Sequence, residues 1–170
     1  EPHATITMKS PGPFLLDAIE INKPITLRGA EDTRPLFLGG PGSALHITAA
    51  EVRLENIHFL RVQESIAGAT HGEAHALVEA AGSRLVISNC SFQDLSDSGS
   101  TTAAIQWKPT SVMDEVQPAL LEAKNILFRQ VGAGLRFAGT TSSQIHLENC
   151  LHLGPGPLIS STSPTGNPFE

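Results

Sequence analysis

At 170 residues with a formal net charge of −6, the chain is long enough for one domain with a core of its own. Charged residues make up 16% of it, below the roughly 25% of an average soluble domain, and 15 Gly with 12 Pro imply many turns, which argues against long helices with charged faces. The acidic balance and scattered arginines argue against a nucleic-acid partner, and no apolar stretch approaches the roughly 18 residues of a membrane-spanning helix.

In chain order, the first alternating segments are "TITMK" (5–9), "AIEIN" (18–22) and "ITLRGA" (25–30), the last two joined by a long corner at "NKP". Apolar residues at every second position mark strands with one buried face. "ALHITA" (44–49) follows, then "VRLENIHF" (52–59), the first of four versions of one phrase; the others are "LVISNCSF" (85–92), "LEAKNILF" (121–128) and "IHLENCLH" (145–152). Aligned on Asn56, Asn89, Asn125 and Asn149, fifteen of the sixteen positions two and four places before and one and three places after are apolar, His152 alone departing. The inward parity slips by one residue at each Asn, so the chain must turn a corner there while keeping its apolar face inside. Asn suits such a corner because it tolerates left-handed backbone angles.

The four Asn are 33, 36 and 24 residues apart, so the phrase is constant while the loops between are not. That is the pattern of a solenoid with unequal loops, and stacking would set the four amides in a ladder, each donating to the next. A β-sandwich gives no reason for the same corner in every repeat. A third strand precedes each phrase, in "ALHITA", "ALVEAA" (76–81), "AAIQWK" (103–108) and "LRFAG" (135–139), with Ile47, Val78, Ile105 and Phe137 pointing inward, and a partial last strand falls in "PLIS" (157–160). The predicted fold is all-β: a right-handed parallel β-helix of about five coils with three strands per coil, since parallel crossovers are almost always right-handed. It forms a single domain over 1–170 with irregular ends at 1–4 and 160–170. The opening "EPHATITMK" and closing "SPTGNPFE" read as a segment of a larger protein.

The Asn corner followed by an inward aliphatic or Cys and then Phe resembles the pectate-lyase-like superfamily, the right-handed β-helices of polysaccharide lyases, polygalacturonases and many surface domains. The resemblance covers roughly residues 5–159 and implies fold rather than activity. "GPFLLDAIEINKPITLRGAEDTRPLF" (12–37) also resembles β-helix segments of bacterial serine/threonine protein kinase-like multidomain proteins, although the chain holds no "HRD", no "DFG" and no glycine-rich nucleotide loop.

Enzymes of that superfamily work on the outer face of one sheet with clustered acids. Here the outward positions of the sheet that begins with "ALHITA" form two expected rows, His46, Leu77, Ala104 and Arg136 beside Thr48, Glu79, Gln106 and Ala138. One carboxylate does not make the acid–base pair of glycoside cleavage, nor the several oxygens of a calcium site. Therefore no catalytic residue, metal or cofactor is expected. His46, Thr48, Glu79, Gln106 and Arg136 are the candidate ligand-binding groups. "HGEAH" (71–75) lacks the Glu directly after the first His that a zinc-protease helix needs and reads as a solvated loop. "SVMDEVQP" (111–118) reads as an inserted corner loop, Trp107 as a core residue over small neighbours, and Cys90 and Cys150 as buried free thiols kept apart by Ile126. The expected function is that of a non-catalytic module offering an elongated surface to a protein or glycan ligand. The alternatives are a carbohydrate-active enzyme fragment and a structural spacer. No nucleic-acid or membrane partner is expected within the segment, and an extracytoplasmic setting is favoured.

Overall fold

Every strand pairing in this chain is parallel, with the strand three places away at first and two places away later, where two long strands each take the place of two. A computed structural model describes residues 3–16, 18–40, 42–62, 75–96, 102–110, 118–139 and 141–162. Among them are sixteen strands, numbered in chain order, and no helix; it follows that no helix is long and apolar enough to cross a membrane. A first line of strands runs β1 (Ala4–Met8), β4 (Ile25–Gly29), β7 (Glu51–Glu55), β10 (Arg84–Ser88), then the first halves of β13 (Ala119–Arg129) and β15 (Ser143–Leu153). A second line runs β2 (Phe14–Leu16), β5 (Leu36–Gly39), β8 (His58–Arg61), β11 (Ser91–Asp94) and the second halves of β13 and β15. The third is a separate sheet of β3 (Ile19–Ile21), β6 (Leu45–Ile47), β9 (Val78–Gly82), β12 (Ala103–Pro109), β14 (Ala133–Ala138) and β16 (Ile159–Thr162).

The lines meet at the asparagines. Asn56, Asn89, Asn125 and Asn149 have φ of 58°, 53°, 57° and 51°, the left-handed region that a β-branched side chain resists. One residue in that conformation reverses the alternation, so Leu54 and Ile57 on either side of Asn56 both point inward and both are fully buried. In-register pairing then puts like over like. Val52, Leu85, Leu121 and Ile145 form one inward column. Phe14, Phe37, Phe59, Phe92 and Phe128 form another, successive ring centroids lying 5.8, 5.4, 4.9 and 5.5 Å apart, and His152 ends it 6.4 Å beyond Phe128. Such aromatic contacts add to the burial of the rings themselves.

Each line holds six strands, one level more than the about five expected. The extra level comes from β2 and β5, which the alternating pattern alone did not mark: "FLL" and "LFLG" are too short and too uniformly apolar to show a period of two. At the far end β16 runs to Thr162, two residues past "PLIS".

The asparagine contacts divide into two kinds. Asn125 Nδ2 donates to Asn89 Oδ1 at 2.9 Å, and Asn149 Nδ2 to Asn125 Oδ1 at 2.7 Å. Asn56 instead donates to the carbonyls of Ala30 and Thr33, at 3.0 and 2.8 Å, and accepts from Arg34 Nε at 3.3 Å. The difference has a local cause. The level before Asn56 turns through the longer segment 30–35, with its own Thr33 N–H to Ala30 carbonyl bond, and that turn offers backbone carbonyls where a stacked amide would otherwise stand.

Both cysteines are free, and Ile126 lies between them in register with Cys150, as the sequence suggests. Cys90 is buried, and burial pushes its thiol up to about 12. Cys150 is only half-buried, contrary to expectation, because β15 is the last strand of its line and nothing in the described residues covers it. The opposite end of the stack is likewise uncovered. Ile6 and Ile19 are exposed there beside an apolar hollow of about 400 Å³ that also takes in Phe14, Ile25 and Leu27.

Replacing Asn125 by Ala removes one donor and one acceptor of the amide chain and places a Cβ-bearing residue without a local hydrogen-bonding group at positive φ, for an expected loss of about 1–3 kcal/mol. Asn22→Ala, at an exposed corner without positive φ, should lose less. Denaturant melts of the two variants check the ordering; equal, negligible losses would remove the amide chain as a stabilising feature.

Candidate functional site

The third sheet carries the candidate residues on its outer face, in an arrangement that differs from the expected one. Glu20 pairs with His46, His46 with Glu79, Glu79 with Gln106, Gln106 with Arg136, and Arg136 with Ser160. All six occupy one row across six strands, about 24 Å long at the usual strand spacing of ~4.8 Å. The two expected rows are therefore one. Leu77 and Ala104 lie an outward position away from it and are fully buried.

The shift has a packing cause. Inward residues pair as Ile47, Ala80, Trp107 and Phe137, and as Leu45, Val78, Ile105 and Leu135, so Val78 and Ile105 stand one inward position from where they were expected. This register seats Trp107 over Ala80, with its Nε1 donating to the Gly82 carbonyl at 3.3 Å and Phe137 6.0 Å away edge-on. The indole is fully buried, a core residue and no sugar platform. Of its two register neighbours Ala80 is small, as expected, but Phe137 is not. Thr48 is exposed but follows β6 outside the row, its N–H bonded to the Ile21 carbonyl.

Sequence reasoning missed the two ends of the row. Glu20 lies in "AIEIN", which was read as a strand without assignment to this sheet, and Ser160 was taken as the start of an irregular end. Glu79 is the best-defined group. Its carboxylate meets His75 Nδ1 at 3.1 Å. Burial alone would raise its pKa, but the bond from His75 and the charges of His75 and Lys108 outweigh that and hold it below its ordinary 4.5. His75 is exposed and belongs to "HGEAH", whose other four residues lie outside the described residues, as do 111–117 of "SVMDEVQP". Among the described residues no group of three or more His, Cys, Asp or Glu is placed to hold a metal ion.

A second polar cluster was not foreseen. Arg61 and Asp94, paired in register on β8 and β11, are each 1% exposed and joined at 3.0 Å. Arg61 also donates to the carbonyls of Gly42 and His75, at 3.1 and 2.8 Å; Asp94 accepts from the Ser96 amide at 2.9 Å and the Thr102 hydroxyl at 2.8 Å. The pair stands where Leu16 and Gly39 stand in the two preceding levels, since Gly39 registers with Arg61 and Leu16 with Gly39. It ties the segments on both sides of 63–74 and 97–101 to the core. The matching ends of "VRLENIHFLR" and "LVISNCSFQD" were the available signal, two opposite charges at one offset from the Asn.

Comparisons with protein-family models, curated proteins and solved structures found no match for this chain.

Arg61→Met leaves Asp94 buried without its cation, and should destabilise by about 3–5 kcal/mol, whereas Arg61→Met with Asp94→Leu should recover much of the loss. Chemical denaturation of both variants tests this; a single variant as stable as the parent would mean the pair is not enclosed. Glu79, with its folded pKa depressed, contributes stability that is present above about 4.5 and lost as pH falls through the lower folded value. Carboxyl NMR should show its midpoint below 4.5 and a rise in His75→Ala; an unchanged midpoint would rule out His75 as the cause.

Proposed function

We propose that the chain is a right-handed parallel β-helix of the pectate-lyase-like kind, and that it serves as a non-catalytic module holding an extended glycan or protein ligand along the outer row of its third sheet. The helix reading is supported by the parallel pairing of strands in three lines, the positive-φ asparagine corners, and the handedness of parallel crossovers. The binding reading rests on one observation, the single row of Glu20, His46, Glu79, Gln106, Arg136 and Ser160. A line of donors and acceptors at strand spacing suits a linear ligand better than a compact one. Glu79 accepts from hydroxyls or amides, Gln106 both accepts and donates, and the Arg136 guanidinium favours an acidic group toward the β16 end. The resemblance of residues 12–37 to segments of kinase-like proteins suggests a neighbouring domain, which the full reading frame tests directly.

The enzyme reading gains something from Glu20, which puts a second carboxylate two strand spacings, roughly 10 Å, from Glu79. Glu79 itself is unsuited to be the proton donor of such a pair. Glycoside cleavage needs an acid whose pKa is raised so that it holds a proton to give, and Glu79 is shifted the other way. A carboxylate held ionised by His75 is an acceptor and not a proton donor.

The deciding experiment is a panel of acidic and neutral oligosaccharides and extended peptides, followed by backbone amide NMR and by product analysis with and without calcium. The expected result is saturable shifts along β6, β9, β12 and β14, weakened about 5-fold or more by Glu79→Gln or Arg136→Ala, with no product formed. Turnover lost in Glu79→Gln would establish an enzyme instead. Failure of every probe to bind would leave the spacer.

A further inference from the structure

We propose that the two uncovered ends of the stack are docking surfaces for each other, so that a second copy of this chain adds head to tail. Among the described residues β1, β2 and β3 at one end, and β15 and β16 at the other, each meet strands on one side only. Every pairing is parallel and in register, so a further level fits either end without reversing a strand. Such edges invite another strand unless a charge, a proline or a bulge blunts them. None of the five contains a proline, and none has Lys, Arg, Asp or Glu at an inward position. The apolar surface lies in the same places. Eight large hydrophobic side chains are exposed among the described residues, and six of them sit on these terminal strands: Ile6, Leu15, Ile19, Leu151, Leu153 and Ile159.

The two ends match position by position. Ile19 and Ile159 are the first and last members of one inward column, 42% and 44% exposed, while Leu45, Val78, Ile105 and Leu135 between them are buried. Ile6 and Leu147 bound a second column, and Phe14 and His152 bound the aromatic one. Leu15 and Leu153 bound an outward row of the second line. With copies set head to tail in register, each residue meets its counterpart, and Leu147, His152 and Ile159 enter the hollow of about 400 Å³ beside Ile6, Phe14 and Ile19.

The charges favour the same direction. Arg28 Nε donates to Thr7 Oγ1 at 3.1 Å and so leans toward the first end, where its row would meet Glu148, the exposed last member of that row. On the third sheet one end closes on Glu20 and the other on Ser160, with Arg136 one strand behind, again setting opposite charges near each other across the junction. The undescribed residues at the two ends of this chain, 1–2 and 163–170, are too few to supply a level, since the shortest interval between corners is 24 residues.

Sedimentation velocity over about a hundredfold range of protein concentration tests this. The unmodified chain should pass through dimer to larger species as concentration rises, because every added copy leaves one end of each kind open. Ile19→Lys blocks one end and Ile159→Lys the other, at side chains already half in water. Each variant alone should associate at least 10-fold more weakly, on the order expected for a central interface residue. An equimolar mixture of the two should form a dimer and nothing larger, since one intact end of each kind remains. Leu15→Lys and Leu153→Lys, at outward positions away from the core, repeat the scheme if thermal melts show that the first pair fails to fold. A chain that stays monomeric throughout, a dimer that grows no further, a mixture that remains monomeric, or association that survives the variants would each overturn the proposal.

Discussion

Everything in this protein depends on a residue that sits comfortably in left-handed backbone at the corner between the first and second strand lines. A strand alternates faces with a period of two, so a chain that bends without resetting its parity would turn its apolar side to water. Asn56, Asn89, Asn125 and Asn149 perform that reset with one residue each, at φ between 51° and 58°. Asparagine is well suited because its short amide lowers the penalty of that conformation and also finds a partner locally. At three of the corners the partner is another asparagine; at Asn56 it is the turn below, together with Arg34.

With the parity reset at every level, in-register pairing makes the interior a set of columns and the exterior a set of rows. The interior columns explain why phenylalanine follows phenylalanine through five levels: each ring rests on the ring of the level before. The exterior rows differ in character from face to face. The first line pairs most of its charges with one another, through Glu51, Arg53, Arg84, Glu122, Lys124 and Glu148. The third presents polar groups in a single file, and the second sets leucines beside His58, Gln93 and the exposed Arg129. Burial of Arg61 with Asp94 is the exception to the apolar interior, tolerated because each charge faces the other and both terminal guanidinium nitrogens and both carboxylate oxygens are hydrogen-bonded.

Strand positions near the repeated phrase were legible because its signal is redundant: four copies share one parity slip, and one copy's ambiguity is resolved by the others. The third sheet was less legible. The expected rows set His46 beside Leu77 and Ile47 beside Val78, whereas the structure pairs Leu45 with Val78 and His46 with Glu79, so that Trp107 can lie over Ala80. A side chain's volume decides that register, and volume has no periodicity to read. The short apolar runs of β2 and β5 carry no alternation either. Of the candidate site, His46, Glu79, Gln106 and Arg136 do share a row, Thr48 does not, and Glu20 and Ser160 join it by a register that only the assembled sheet reveals.

The unequal spacing of the asparagines carries an evolutionary consequence. Loops leave and re-enter the stack at fixed corners, so an added or deleted stretch there changes nothing in the columns, and intervals of 33, 36 and 24 residues coexist in one core. A single residue gained inside a strand would instead transpose every later side chain of that strand to the opposite face. Length variation is therefore confined to corners, where it is nearly neutral, and forbidden between them. Such a chain can acquire new surface by lengthening a loop, or new span by duplicating a whole level, without passing through an unfolded intermediate form.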